Sequence, residues 1–188
     1  MRAALLFLGL LGCSRDPVES VCPQINEGDL VITEIRGPKD EQNGPWVELF
    51  NASNATIDMA GIKVRFRRKD GSSEVPILVR RSLPVAAGDY VVLGLFFDID
   101  IVADQTPPHV DYGFLDDFDG TWLSAAAVDV ETCGKLVDRA TYDVLPDTGT
   151  YELGTMPPNA DDNNLPASWC FDATPDGTPG AANTACPP

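Results

Sequence analysis

The chain has 188 residues and a formal charge of −16, from 29 acidic against 13 basic side chains. That length is enough for one domain with a sizeable core, and the charge repels nucleic acid from the molecule as a whole. The 16 glycines and 16 prolines suit a loop-rich β domain better than a helical one.

Met1 and Arg2 form a short positive start, and residues 3–11 are apolar. That run is far below the ~20 residues a spanning helix needs. With the small residue before Cys13 it reads as an export signal covering residues 1–12. Leu10-Leu11-Gly12-Cys13-Ser14 resembles the lipobox of bacterial lipoproteins, which implies lipidation (palmitate) of Cys13 and a membrane partner. Ser14 after the cysteine resembles the pattern sorted to the outer membrane. Residues 13–27 read as a short tether, with the domain over 28–186. Apart from Cys13 the chain holds Cys22, Cys133, Cys170 and Cys186. An even count in an exported chain implies two disulfides. Three connectivities are possible. The favoured one is Cys22–Cys186 with Cys133–Cys170, because Cys22 and Cys186 flank the folded part and domain termini often lie close together.

Residues 30–35 and 46–51 predict the first two strands, with Gly37-Pro38 and Gly44-Pro45 breaking the loop between them. Residues 57–61 are extended. Over 62–68 the alternation places Ile62, Val64 and Phe66 on one face and Lys63, Arg65 and Arg67 on the other, the signature of a half-buried antiparallel strand. A turn at 70–73 leads into extended 75–83, and a turn at 86–89 leads into an apolar strand at 90–94. Residues 96–119 predict a long acidic loop with one short strand near 110–113. A strand pair is expected at 121–124 and 136–142, with the alanines 125–127 as loop. A last short strand at 151–153, turn-rich 157–166 and an irregular tail after Trp169-Cys170-Phe171 complete the chain. Short strands at roughly ten-residue spacing predict an all-β sandwich with long loops.

The ordered set Leu30-Val31-Ile32-Thr33-Glu34-Ile35, Trp46-Val47-Glu48-Leu49-Phe50-Asn51, Ile57-Asp58-Met59-Ala60-Gly61-Ile62, the Leu83 to Leu93 stretch and Leu136-Val137-Asp138-Arg139-Ala140-Thr141-Tyr142 resembles the lamin tail domain. Gly177-Thr178-Pro179-Gly180-Ala181-Ala182-Asn183 is similar to the closing motif of its bacterial secreted members. The resemblance implies an immunoglobulin-like β-sandwich and an accessory binding role, and it brings no catalytic residues. Two features depart from the family: no coiled coil precedes the domain, and the acidic stretch after Phe96 fits the pattern poorly.

Lys63, Arg65, Arg67, Arg68, Lys69, Arg80 and Arg81 concentrate over half of the basic side chains, a candidate anion-binding surface or a charged, solvated strand face. Asp116, Asp117 and Asp119 are the candidate metal ligands, for calcium, with Asn159 to Asn164 a second acidic stretch. Glu34 and Glu48 lie on successive strands, either as paired carboxylates for acid–base work or as structural groups bonded to backbone or an arginine. Trp46 and Trp169 are expected in the core, and Trp122 is the aromatic most suited to ligand contact. His109 is the only histidine, and there is no Gly-x-Ser-x-Gly elbow, C-x-x-C pair or phosphate-cradling glycine loop. The expected role is a non-enzymatic, lipid-anchored envelope module that docks a glycan, a protein or another polyanion. The alternatives are a metal-dependent surface enzyme using carboxylates and an accessory domain of an exported hydrolase.

Overall fold

A computed structural model describes residues 21–38, 44–103 and 109–187. The export signal, Cys13 and most of the tether lie outside the described residues. A six-stranded sheet runs in the order β12 (Trp169–Asp172), β11 (Thr150–Leu153), β1 (Leu30–Arg36), β2 (Trp46–Asn51), β7 (Tyr90–Gly94) and β8 (Tyr112–Gly113). A four-stranded sheet runs β10 (Lys135–Tyr142), β9 (Ala126–Thr132), β4 (Lys63–Arg67), β5 (Val75–Leu78), and β3 (Ile57–Asp58) pairs with β6 (Pro84–Val85). Within these sheets the neighbouring strands are antiparallel, except β7 with β8. Buried side chains of both large sheets form one core, so the all-β expectation holds as two sheets pressed face to face.

The two β-bulges decide what faces that core. The β1–β2 register passes from Ile32↔Leu49 to Glu34↔Glu48, which leaves Thr33 as an extra residue. Ile32 and Ile35, at odd spacing, thereby both reach the core face, in rows with Leu49 and Val91 and with Val47 and Leu93. In β10 the register slips between Leu136 and Asp138. Leu136 is left outward and 40 % exposed, and Asp138 is turned inward. Its Oδ2 accepts the Ile32 N–H at 2.7 Å and the Asn163 amide at 2.8 Å, so the two irregularities meet and clasp one sheet to the other. Burial raises the Asp138 carboxyl to about 7, against the lowering pull of these donors.

β1 and β2 are buried along their whole length, which requires cover on the second face of the six-stranded sheet as well. β4 shows the expected alternation, with Val64 and Phe66 inward. Phe66 packs against Trp122 (ring centroids 4.6 Å apart), Phe118 (5.7 Å) and Phe114 (5.9 Å), the aromatic centre of the core.

Several expectations are corrected. The strand partner of β10 is Ala126–Thr132 rather than 121–124, and the alanines expected as loop begin it. β9 is a central strand, paired on both edges, and its small residues fit between two neighbours. Within the acidic stretch α1 (Asp98–Val102) forms a short helix, and α2 (Ala160–Asn163) lies in the turn-rich region, capped by Asn159, whose side chain accepts from Asp162 N–H at 2.9 Å. The favoured disulfide pairing is also overturned. Cys22 bonds Cys133 and Cys170 bonds Cys186, with Cα atoms 5.4 and 5.6 Å apart. The N-terminal segment lies along the β9–β10 turn, where Thr132 Oγ1 donates to Pro23 O at 2.7 Å. The C-terminal tail returns across β12, where Gly154 leaves room for Cys186 against its backbone. Each terminus is therefore stapled to its own side of the fold rather than to the other. Two disulfides imply folding in an oxidising, extracytoplasmic compartment.

Non-reduced peptide mapping is expected to find the Cys22–Cys133 and Cys170–Cys186 pairs. Asp138→Ala leaves the buried Ile32 N–H without its acceptor and is expected to lower unfolding stability by about 1–3 kcal/mol in urea titration.

Candidate functional site

Two glutamates that the sequence sets on successive strands stand side by side, and a third joins them. The pairings Glu34↔Glu48 and Glu34↔Glu152 place three carboxylates in one cross-strand row on the second face of the six-stranded sheet. Each of the three is 0–1 % exposed. The C-terminal strap, residues 174–187, lies over them. Thr178 N–H donates to Glu34 Oε1 at 3.1 Å, Gly180 N–H to Glu48 Oε2 at 2.7 Å, and Thr184 Oγ1 to Glu152 Oε1 at 2.6 Å. Asn183 donates to Thr33 O at 2.8 Å and Leu153 O at 3.1 Å. Gly177, at φ +65°, passes so close that a Cβ would strike Glu34 and Thr150. The glutamates are bonded to backbone and hydroxyl groups, the structural arrangement among the two expected for Glu34 and Glu48. Burial raises Glu34 to about 7 and pushes Glu48 and Glu152 upward as well.

Most of the basic cluster is matched by carboxylates within the chain. Arg67 and Arg139 share Asp129 at 2.7 and 2.6 Å, and Arg65 bridges Glu131 and Glu74. Arg80 pairs with Asp117 at 3.0 Å, Arg81 with Asp98 at 2.8 Å, and Lys69 with Asp143. Arg68 donates to Ser73 Oγ at 3.3 Å, and Lys63 lies on the outer row of β4, opposite Glu131. The outer face of the four-stranded sheet is thus a ladder of paired charge. Asp129 lies below the usual carboxylate range: burial pushes it up, and the two guanidinium groups outweigh that push.

The acidic stretch is tied down by the same means. Asp98 also accepts the Gly113 N–H at 3.0 Å, and Arg81 lies 5.3 Å over the Tyr112 ring while donating to Asp111 O. Of the candidate calcium ligands, Asp117 is engaged by Arg80 at 3.0 Å. Among the described residues no group of three or more His, Cys, Asp or Glu side chains is arranged to hold a metal. Trp122, expected at a ligand, is 7 % exposed and belongs to the aromatic core; Trp46 and Trp169 are core residues as expected. His109 has φ +91° beside β8.

A groove of about 830 Å³ opens between the N-terminal segment 21–26 and the loop 52–58, with Asp29 and Ala60 also in its lining. Asn51 builds one wall: its side chain donates to Ala55 O and Val85 O, each at 2.9 Å, and accepts from Ser53. The disulfide at Cys22 fixes the other wall. Ser53, Asn54, Thr56, Gln24 and Asn26 offer hydroxyl and amide groups, and among the described residues no lysine or arginine lines the groove. Sequence reading missed this site because its two walls, residues 21–26 and 52–58, are distant in sequence and are brought together only by the folded sheet, where Ala52 N–H donates to Asp29 O at 3.0 Å.

The class these features define is an extracytoplasmic, disulfide-stapled two-sheet β domain with a C-terminal strap laid over buried glutamates and an open polar groove. No protein-family model matches the chain, and no curated protein matches its sequence.

Asp129→Ala exposes two arginines to each other around a buried site and is expected to destabilise the fold by about 3 kcal/mol. Lys69→Ala breaks a solvent-exposed pair and is expected to change stability by less than about 1 kcal/mol. Equal losses in denaturant titration of the two variants contradict the ladder's structural role.

Proposed function

We propose that the chain is a lipid-anchored module of a bacterial cell envelope, an immunoglobulin-like β-sandwich of the lamin-tail type, and that it holds a macromolecular partner in the groove beside its N-terminal segment. The groove carries this reading. It is a concave surface of about 830 Å³, and it presents hydroxyl, amide and backbone groups on walls braced by a disulfide and a buried asparagine. Its lining suits a neutral glycan or an extended protein segment better than a polyanion, since the arginines are engaged elsewhere and Asp29 and Asp58 border it. The groove lies within about nine residues of Cys13, so a lipid on that cysteine holds it within roughly 30 Å of the bilayer.

The lamin-tail reading is supported by where its motif residues meet. Glu34 of the first segment and Glu48 of the second both accept bonds from the Gly177 to Asn183 segment. Three stretches distant in sequence thus form one joint, which gives a physical reason for their occurring together. A non-enzymatic role accords with carboxylates that serve the fold: Glu34 and Glu48 are sealed beneath the strap, and Asp98 and Asp117 hold arginines.

Ala55→Trp fills the groove from an exposed loop position. It is expected to weaken binding to neutral glycan arrays or envelope protein fractions about tenfold or more, with the melting temperature unchanged. Undiminished binding by this variant removes the groove from the proposal. Metabolic labelling with palmitate is expected to mark the parent chain and to be lost in Cys13→Ser.

A further inference from the structure

We infer that Glu34 carries a proton in the folded protein, and that this proton, relayed through the Thr178 hydroxyl to Asn183, seals the C-terminal strap over the sheet. The argument is a count of hydrogens. Thr178 Oγ1 lies 3.0 Å from Glu34 Oε2 and 2.9 Å from Asn183 Oδ1. A hydroxyl has one hydrogen and donates it to one of the two. Asn183 cannot supply the missing hydrogen from its oxygen, and its orientation is set from the other end, where Nδ2 donates to Thr33 O and Leu153 O. A proton on Glu34 Oε2 completes the chain: Glu34 donates to Thr178, and Thr178 donates to Asn183. Glu34 Oε1 meanwhile accepts from Thr150 Oγ1 and from Thr178 N–H, as the carbonyl oxygen of a neutral carboxyl does.

The surroundings favour the neutral form. Glu152 and Glu48 flank Glu34 on the neighbouring strands, Asp172 acts on Glu152, and Asp111 acts on Glu48 with Tyr90 nearby. Arg36 shares the face two residues along β1, buried and with its own partners. The strap residues that touch the row are Thr178, Gly180 and Thr184, which bring no charge. Burial raises Glu34 to about 7, above its ordinary value of 4.5. A group raised on folding adds stability that is complete below its unfolded value and lost as pH rises through its folded value. The strap is therefore tightest near pH 5 and loosens through neutrality. The Cys170–Cys186 disulfide keeps its end attached, so the opening is local.

The test is hydrogen exchange of the disulfide-intact chain at pH 5 and pH 8, corrected for the chemical rate. Amides of residues 178–184 are expected to exchange about tenfold or more faster at pH 8. Glu34→Gln supplies an N–H to Thr178 at every pH, and its strap is expected to stay protected at both. Equal wild-type protection at the two pH values, or a Gln variant with the parent's pH dependence, overturns the proposal. Carboxyl-carbon NMR of the folded parent provides a readout that needs no variant. A Glu34 midpoint near neutrality supports the proton, whereas a midpoint below pH 5, or titration of Glu48 alone in this range, overturns it.

Discussion

Three carboxylates lie next to each other in a place water does not reach, and most of the structure on that side exists to make this tolerable. A buried, unpaired acid costs several kcal/mol unless donors surround it or it keeps its proton. The strap meets that demand with two backbone N–H groups, two threonine hydroxyls and an asparagine that ties its own course to β1 and β11. The glutamates in turn give an irregular, Pro- and Gly-rich tail a definite place to lie. Without them the tail has little apolar surface to bury, and without the tail the second face of β1 and β2 is open.

The same economy of charge governs the other sheet. The chain is strongly acidic, and its basic residues are concentrated where acidic side chains need them. Asp129 and Glu131 on β9 engage Arg65, Arg67 and Arg139 across the neighbouring strands, while Arg80 and Arg81 draw the acidic stretch after Phe96 against the sheet edge. Because Asp129 is nearly buried, its pairs are screened little by salt, unlike the exposed Lys69–Asp143 contact. The lining groups of the polar groove stand apart from the paired charges of the four-stranded sheet.

The strap and the groove occupy opposite ends of the covalent chain and are each secured by their own disulfide. Cys22–Cys133 braces the N-terminal wall of the groove, and Cys170–Cys186 tethers the strap. A change in the strap therefore need not disturb the groove. The proposed proton-sensitive cover and the proposed binding recess can coexist in one small domain because each is held by its own staple.

Much of the secondary structure was legible because it depends on near neighbours in the chain. Short apolar runs rich in Val, Ile and Phe marked β1, β2 and β7, alternation marked β4, and turn residues marked their ends. The presence of two disulfides, and with it an oxidising compartment, followed from the even count of cysteines after Cys13. The cysteine partners did not, because pairing depends on which loops the folded sheets bring together. The alanines of β9 read as loop because the strand's case rests on neighbours along both edges, Lys135–Tyr142 and Lys63–Arg67. The basic residues looked like a binding surface because their carboxylate partners are as far as 74 residues away along the chain. Local chemistry determined that strands form and where turns separate them; long-range geometry alone decided which charges meet, which cysteines join and that Glu34, Glu48 and Glu152 share one buried row, since each of these depends on distances set only when the two sheets and the strap pack together.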